Sequence, residues 1–210
     1  MNKFLSKYIG IIDRSVLLNA LGGYKNFNDK VSRLVDKGEL VRLKRGLFIT
    51  TDSIARGELS EFQIANKMYG PSYVSFFTAL SHHGLIPERV IAVESATILR
   101  SKSISLDITH FTYQQMPVDS FHIGIRREEN QSISYLIASP TKALIDVLWT
   151  EKMTNVSSQK SLLLYLTLDL RMEEEVIGLL DIDEILECLR AGRRKRLIKA
   201  LLSIVNEFKA

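Results

Sequence analysis

Residues 10–50, GIIDRSVLLNALGGYKNFNDKVSRLVDKGELVRLKRGLFIT, decide how the first part of the chain is read. Asp13 can N-cap a helix whose apolar residues Val16, Leu17 and Leu21 recur at helical spacing, with Gly22-Gly23 to stop it. Asn26 or Asn28 can cap a second helix that buries Val31, Leu34 and Val35 and ends at Gly38. Residues 39–42 and 47–50 then read as two strands around a Lys44-Arg45-Gly46 turn. Two short helices followed by a basic β-hairpin form the pattern of a winged helix-turn-helix. In such a unit the second helix can enter the major groove of DNA while the hairpin lies on the adjacent backbone. Lys25, Asn26, Asn28, Lys30, Ser32 and Arg33 are the candidate contacts on the helix and its entry turn; Arg42, Lys44 and Arg45 are those of the wing. Lysine and arginine reach phosphates or guanine edges, and asparagine or serine reach bases or backbone. Asp29 would repel phosphate if the helix presented it on the same side. The same residues also fit a small helical cap with a solvated surface hairpin.

Charge is unevenly placed. Residues 1–50 hold ten Lys and Arg against four Asp and Glu, and residues 190–210 hold seven against one, so the stretch between is acidic although the chain totals +4. Basic ends suit a polyanion, and an acidic middle suits a different partner. A hydrophobic fraction of 46% with 25% charged residues is that of an ordinary folded protein. No apolar run approaches the roughly 20 residues needed to span a bilayer. Residues 1–12 carry no long hydrophobic region or small-residue cleavage site, so no signal peptide is expected and a cytoplasmic location is. The single cysteine, Cys188, lies in an apolar helical pattern and suits a reducing compartment and a core position.

Residues 1–9 read as a first helix packing on the two already described. Residues 51–59, with Gly57, mark a boundary between a DNA-binding domain over 1–55 and a second domain over 56–210. In the second domain, Ser60 and Gln63 suggest a capping box for a helix to Tyr69, and a further helix is expected over 72–83. From Val90 the period changes to two. Residues 90–99, 106–113, 121–127 and 132–137 read as a mostly antiparallel meander of about four strands. Breaks are expected at 101–103, 116–119 and 128–130. Ser139-Pro140 then starts a helix in the favoured cap-then-proline order. Residues 161–169 read as buried and residues 171–180 as an acidic-surfaced helix. The fold class is therefore α+β, an amino-terminal winged helix-turn-helix followed by an α/β domain with a small sheet and a helical end.

Three features invite chemistry. His82 and His83 are neighbours, but adjacent helical positions point about 100° apart and no neighbouring Cys, Asp or Glu stands at ligand spacing, so no metal is expected there. Asp181-Ile182-Asp183 looks like a carboxylate pair, yet Asp181 with Glu184 also makes a helix cap, which is the preferred reading. Arg193, Arg194, Lys195 and Arg196 open an amphipathic helix and offer a second basic contact, against the helix dipole. The acids Asp107, Asp146, Asp181 and Asp183 form no visible nucleophile–base or two-metal constellation, so no enzyme activity, no catalytic residue and no cofactor are expected.

Three segments together, GELVRLKRGLFI, GPSYVSFFTALSHHGLIPERV and ASPTKALIDVL, resemble the AbiEi-like antitoxins and related transcriptional regulators of viral defence. The most specific part is Thr78-Ala79-Leu80-Ser81-His82-His83-Gly84-Leu85. The family's Ala-Thr-Pro-Glu-Lys-Ala pattern stands here as Ala138-Ser139-Pro140-Thr141-Lys142-Ala143, with Thr141 in place of the acid. The resemblance implies a winged helix-turn-helix repressor that binds an inverted-repeat operator in double-stranded DNA and regulates its own operon. It also implies a second domain that counters a nucleotidyltransferase-like toxin in a type IV toxin–antitoxin system, without a stable complex between the two. A regulator without antitoxin activity is the alternative, and a nucleic-acid-processing enzyme the remote one.

Overall fold

A computed structural model describes residues 10–22, 25–130, 133–152 and 156–209. The helix expected over 1–9 lies outside the described residues. The first elements are β1 (Ile11–Asp13), α1 (Arg14–Ala20), α2 (Phe27–Asp36), β2 (Leu40–Lys44) and β3 (Leu47–Thr50). β3 lies between β1 and β2 in an antiparallel three-stranded sheet, with Ile12 opposite Phe48 and Arg42 also opposite Phe48. Strand β1 was not foreseen: Ile11 and Ile12 pair with the hairpin and bring the start of α1 beside its turn. The Arg14 N–H donates to the Gly46 carbonyl at 2.8 Å. Asn26 occupies the N-cap of α2 without a side-chain cap bond, and Asn28 is already inside the helix. Gly38, at φ +68°, lets the chain leave α2 in a left-handed turn that β-carbon-bearing residues adopt at a cost.

The remaining chain builds a second, larger sheet with helices around it. In order it contains α3 (Thr51–Ala55), α4 (Glu61–Met68), β4 (Ser72–Val74), α5 (Phe76–His82), β5 (Val93–Thr97), β6 (Lys102–Ser105), β7 (His110–Gln115) and α6 (Val118–Phe121). Then follow β8 (Ile125–Asn130), β9 (Ile133–Ala138), α7 (Pro140–Thr150), α8 (Gln159–Leu164), a π-helical turn (Tyr165–Asp169), α9 (Glu174–Gly178), α10 (Ile182–Ala191) and α11 (Lys195–Lys209). The sheet order is β6-β7-β5-β4-β9-β8. It is mixed: β5–β7 and β4–β9 are parallel and the other neighbours antiparallel.

Five expectations are corrected here. The helix expected over 72–83 starts only at Phe76, because Tyr73 and Val74 are strong strand formers and fill the middle of the sheet between β5 and β9. The break expected at 101–103 is strand from Lys102 onward, and that expected at 128–130 is strand throughout. Their polar residues mark the two sheet edges, where charge blocks further pairing. Phe121 belongs to a short helix. Between Ser161 and Asp169 only Leu162 and Leu166 are fully buried, while Leu164 and Leu168 face out. The caps at Ser139 and Asp181 form as their sequence context implies: Ser139 Oγ accepts from Lys142 N at 3.0 Å, and Asp181 Oδ1 accepts from the amides of Asp183 and Glu184.

Among the described residues two apolar cores result. The smaller holds Ile12, Leu17, Leu21, Val31, Leu34, Leu40 and Phe48. The larger is built on α5, α7 and the six-stranded sheet, and it also takes in Leu43, Leu47 and Ile49. The first sheet is therefore covered on both faces. Successive strand residues point to opposite sides, so Phe48 serves one core while Leu47 and Ile49 serve the other.

Inside the larger core lies a fully buried ion pair, Lys142 with Asp146, one helical turn apart on α7. Asp146 Oδ2 accepts from the hydroxyls of Tyr73 (2.9 Å) and Ser75 (2.7 Å), and the Lys142 ammonium lies 4.6 Å from the centre of the Trp149 ring. A buried carboxylate needs this many donors to offset its lost hydration. The network ties α7 to β4 and to the start of α5.

Candidate nucleic-acid interface

On α2, Val31 and Leu34 are buried, so Asn28, Ser32 and Arg33 face outward. Asn28 and Ser32 are four residues apart and share one helix face. Beside them the hairpin supplies Arg42 and Arg45, and the start of α1 supplies Arg14. These side chains line a groove of about 560 Å³ whose floor is Phe27, Val31 and Phe48. None of its lining residues is acidic. The Arg14 guanidinium donates to Asn28 Oδ1 at 3.3 Å and stacks 5.0 Å from the centre of the Phe27 ring. Arg42 sits 5.7 Å from the centre of the Phe48 ring. Aromatic support of this kind holds the guanidinium planes without neutralising them.

A second, adjoining hollow is lined by Lys25, Asn26 and Asn28 together with Arg14 and Asp29. The carboxylate of Asp29 therefore belongs to this hollow and not to the arginine groove. Lys30 is half-buried, and Arg33 is exposed but lines neither depression.

Two of the basic residues singled out from the sequence are engaged elsewhere. The Lys44 ammonium donates to the carbonyls of Lys67 (2.8 Å) and Met68 (3.0 Å), at the end of α4. A cation there satisfies carbonyls that the helix leaves unpaired and meets the negative end of its dipole. Arg194 does the same for α7, donating from one guanidinium nitrogen to the carbonyls of Leu148 (2.8 Å) and Glu151 (2.7 Å). The Arg193 carbonyl accepts from the Trp149 indole at 3.1 Å. Positive charge at the start of α11 is thus compensated by the end of α7. Arg193, Lys195 and Arg196 remain exposed, and the last two line a hollow with Ser157, Ser158 and Lys199.

Arg14 is the groove residue that sequence reasoning missed. Its role depends on β1 pairing with β3, and the signal for that was the apolar pair Ile11-Ile12 directly before Asp13. Among the acids considered, Asp146 is fully buried against Lys142, and Asp181 accepts from the first amides of α10.

Comparison of the chain with protein-family models finds no match, and comparison with curated proteins finds none either.

Proposed function

We propose that the chain is a DNA-binding transcriptional repressor. In this reading residues 10–50 form a winged helix-turn-helix, with α2 as the recognition helix and the β2–β3 hairpin as a short wing. The observation that carries the proposal is the groove between them, where Arg14, Arg42 and Arg45 converge beside Asn28 and Ser32 with no acid among the lining residues. Arginine on phosphate positions such a unit on the duplex, while Asn28 and Ser32 supply the short polar groups that read base edges. A two-residue Arg45-Gly46 turn makes the wing short, so its contacts fall on the backbone next to the recognition helix.

The resemblance to AbiEi-like antitoxins extends this reading. It makes the chain the antitoxin of a type IV toxin–antitoxin system that represses its own operon through an inverted repeat and counters a nucleotidyltransferase-like toxin. Fluorescence anisotropy with duplexes from the chain's own promoter tests the first part. Binding should be tighter than to random duplex and should weaken steeply with salt. Equal affinity for both duplexes would overturn sequence-specific repression. A nucleotidyltransferase-like reading frame beside its gene, with rescue of growth on co-expression of the two, tests the second.

A further inference from the structure

Away from the groove, three metal-ligating side chains meet where the end of α5 touches the β8–β9 edge. His82 is the last residue of α5, His83 is its C-cap, and Glu128 reaches them from the middle of β8. One donor atom from each of the three lies within 4.8 Å of the other two. His82 Nε2 and Glu128 Oε2 are 2.9 Å apart, and the two imidazole rings meet edge to face at 5.2 Å. Glu128 stands 46 residues from His82, which is why no acid at ligand spacing was visible in the sequence.

The surroundings match what a metal site requires beyond its ligands. His83 Nε2 lies 2.8 Å from the Ala138 carbonyl. A carbonyl only accepts, so that nitrogen carries the proton and the lone pair falls on Nδ1. The Tyr135 hydroxyl donates to Glu128 Oε2 at 2.9 Å. Outer partners of these two kinds, a backbone carbonyl on histidine and a donor on the carboxylate, orient ligands before the ion arrives. Phe62 from α4 closes one side, packing edge-on against His82 (5.3 Å) and Tyr135 (5.2 Å). A dry wall strengthens charge interactions on its side of the cluster.

We propose that His82, His83 and Glu128 bind a divalent transition-metal ion of the zinc class. Two imidazoles and one carboxylate are the donor set such ions prefer, whereas calcium and magnesium take all-oxygen cages. Tetrahedral coordination at roughly 2.0–2.1 Å places donors about 3.3 Å apart, so small side-chain rotations close the present cluster around an ion. The side chains of His82 and Glu128 are 32% and 34% exposed, which leaves a fourth position for water. Bound there, the ion cross-links the end of α5 to the edge hairpin. The site is independent of the DNA-binding reading.

The test is titration of metal-free full-length protein with zinc chloride against a chromophoric chelator, with a thermal melt of each sample. One zinc per chain, a melting temperature raised by the metal, and a loss of affinity of about 100-fold in His82→Gln and in Glu128→Gln are expected, with about tenfold in Tyr135→Phe. Both ligands replaced are surface-accessible, and circular dichroism of the metal-free variants checks their folding. Should Glu128→Gln fail to fold, His82→Gln decides alone. No stoichiometric zinc in the unaltered protein, or binding unchanged in His82→Gln, would overturn the proposal, since the surface hydrogen bond between His82 and Glu128 then stands by itself.

Discussion

The Lys44 ammonium is held 2.8 Å from the carbonyl of Lys67, so a lysine of the β2–β3 hairpin is tied to a helix of the other core. Lys44 and Arg45 are neighbours in sequence and have opposite assignments: one caps α4, the other lines the arginine groove.

Their substitutions should separate accordingly. Arg45→Ala and Arg42→Ala should each weaken DNA binding and reduce the slope of log affinity against log salt by about 1 per lost phosphate contact. Lys44→Ala should leave that slope unchanged and lower stability by about 1 kcal/mol, the usual loss for a cap or a charged hydrogen bond. Anisotropy titrations at several salt concentrations, with urea melts of the same proteins, read both. A slope change in Lys44→Ala equal to that of Arg45→Ala would reverse the assignment.

Breaking the buried pair should be costly. Lys142→Met leaves Asp146 without its cation in a site of zero exposure, and loss of one partner from a buried pair typically costs about 3–5 kcal/mol. Replacing both, as Lys142→Met with Asp146→Asn, should recover part of the loss because no net charge stays behind. Denaturant unfolding measures the two. Equal stability of single variant and unaltered protein would show that the pair carries no such weight.

Gly124 should tolerate no side chain. It has φ +62°, and a β-carbon there would stand 2.7 Å from Cβ of Lys142 and 3.1 Å from Oγ of Ser139. Gly124→Ala should destabilise by about 1–3 kcal/mol through strain and overpacking together. A melting temperature within a degree of the unaltered protein would contradict the close approach of this turn to α7.

Glu94 gives the chain a pH signature. Burial raises its carboxyl above the usual range, with the amides of Thr78 and Phe77 opposing and Glu151 adding to the rise. A folded-state value above the unfolded one means stability is full at low pH and is lost as pH rises through the folded value. Glu94→Gln should therefore raise the melting temperature at pH 7 by on the order of 1–3 °C, with the gain shrinking to nothing below the ordinary glutamate range. A gain that persisted there would have another cause.

Cys188 should be inert in the folded protein. It is buried, and burial pushes its thiol up to about 12, against the pull of Lys142. The thiolate is the reactive form, so a thiol reagent at pH 8 should label it only after unfolding, at the rate of unfolding. Rapid labelling of the native chain would show an open path to it.

Much of the fold could be read from local signals, and the failures have a common cause. Ser139-Pro140 and Asp181 announce their helices because a cap needs only its own next three residues. The strand at Ser72–Val74 was hidden because three residues carry too little periodicity, and its partners lie far away in sequence. The charged residues 128–130 resembled a loop because edge strands are polar for the same reason loops are: they meet water. Asn28, Ser32, Arg42 and Arg45, singled out by helix and hairpin spacing, line one groove. Arg14 and Glu128 were not singled out, since each depends on a pairing between distant segments. Lys44 shows its charge in the sequence as part of a basic turn, while the carbonyls of Lys67 and Met68 that it reaches lie in a distant helix end.

One signal was present and unread. Leu47-Phe48-Ile49 is an unbroken apolar run, where a strand with one solvated face would alternate. Strand β3 belongs to two cores at once, and that bears on how such a chain can be rebuilt by recombination. The segment from β1 to β3 cannot be exchanged like a detachable module. A transplanted hairpin must match a foreign surface at Leu43, Leu47 and Ile49 while keeping its own interior at Leu40 and Phe48. A graft that met only the second demand would keep its groove and lose its seat.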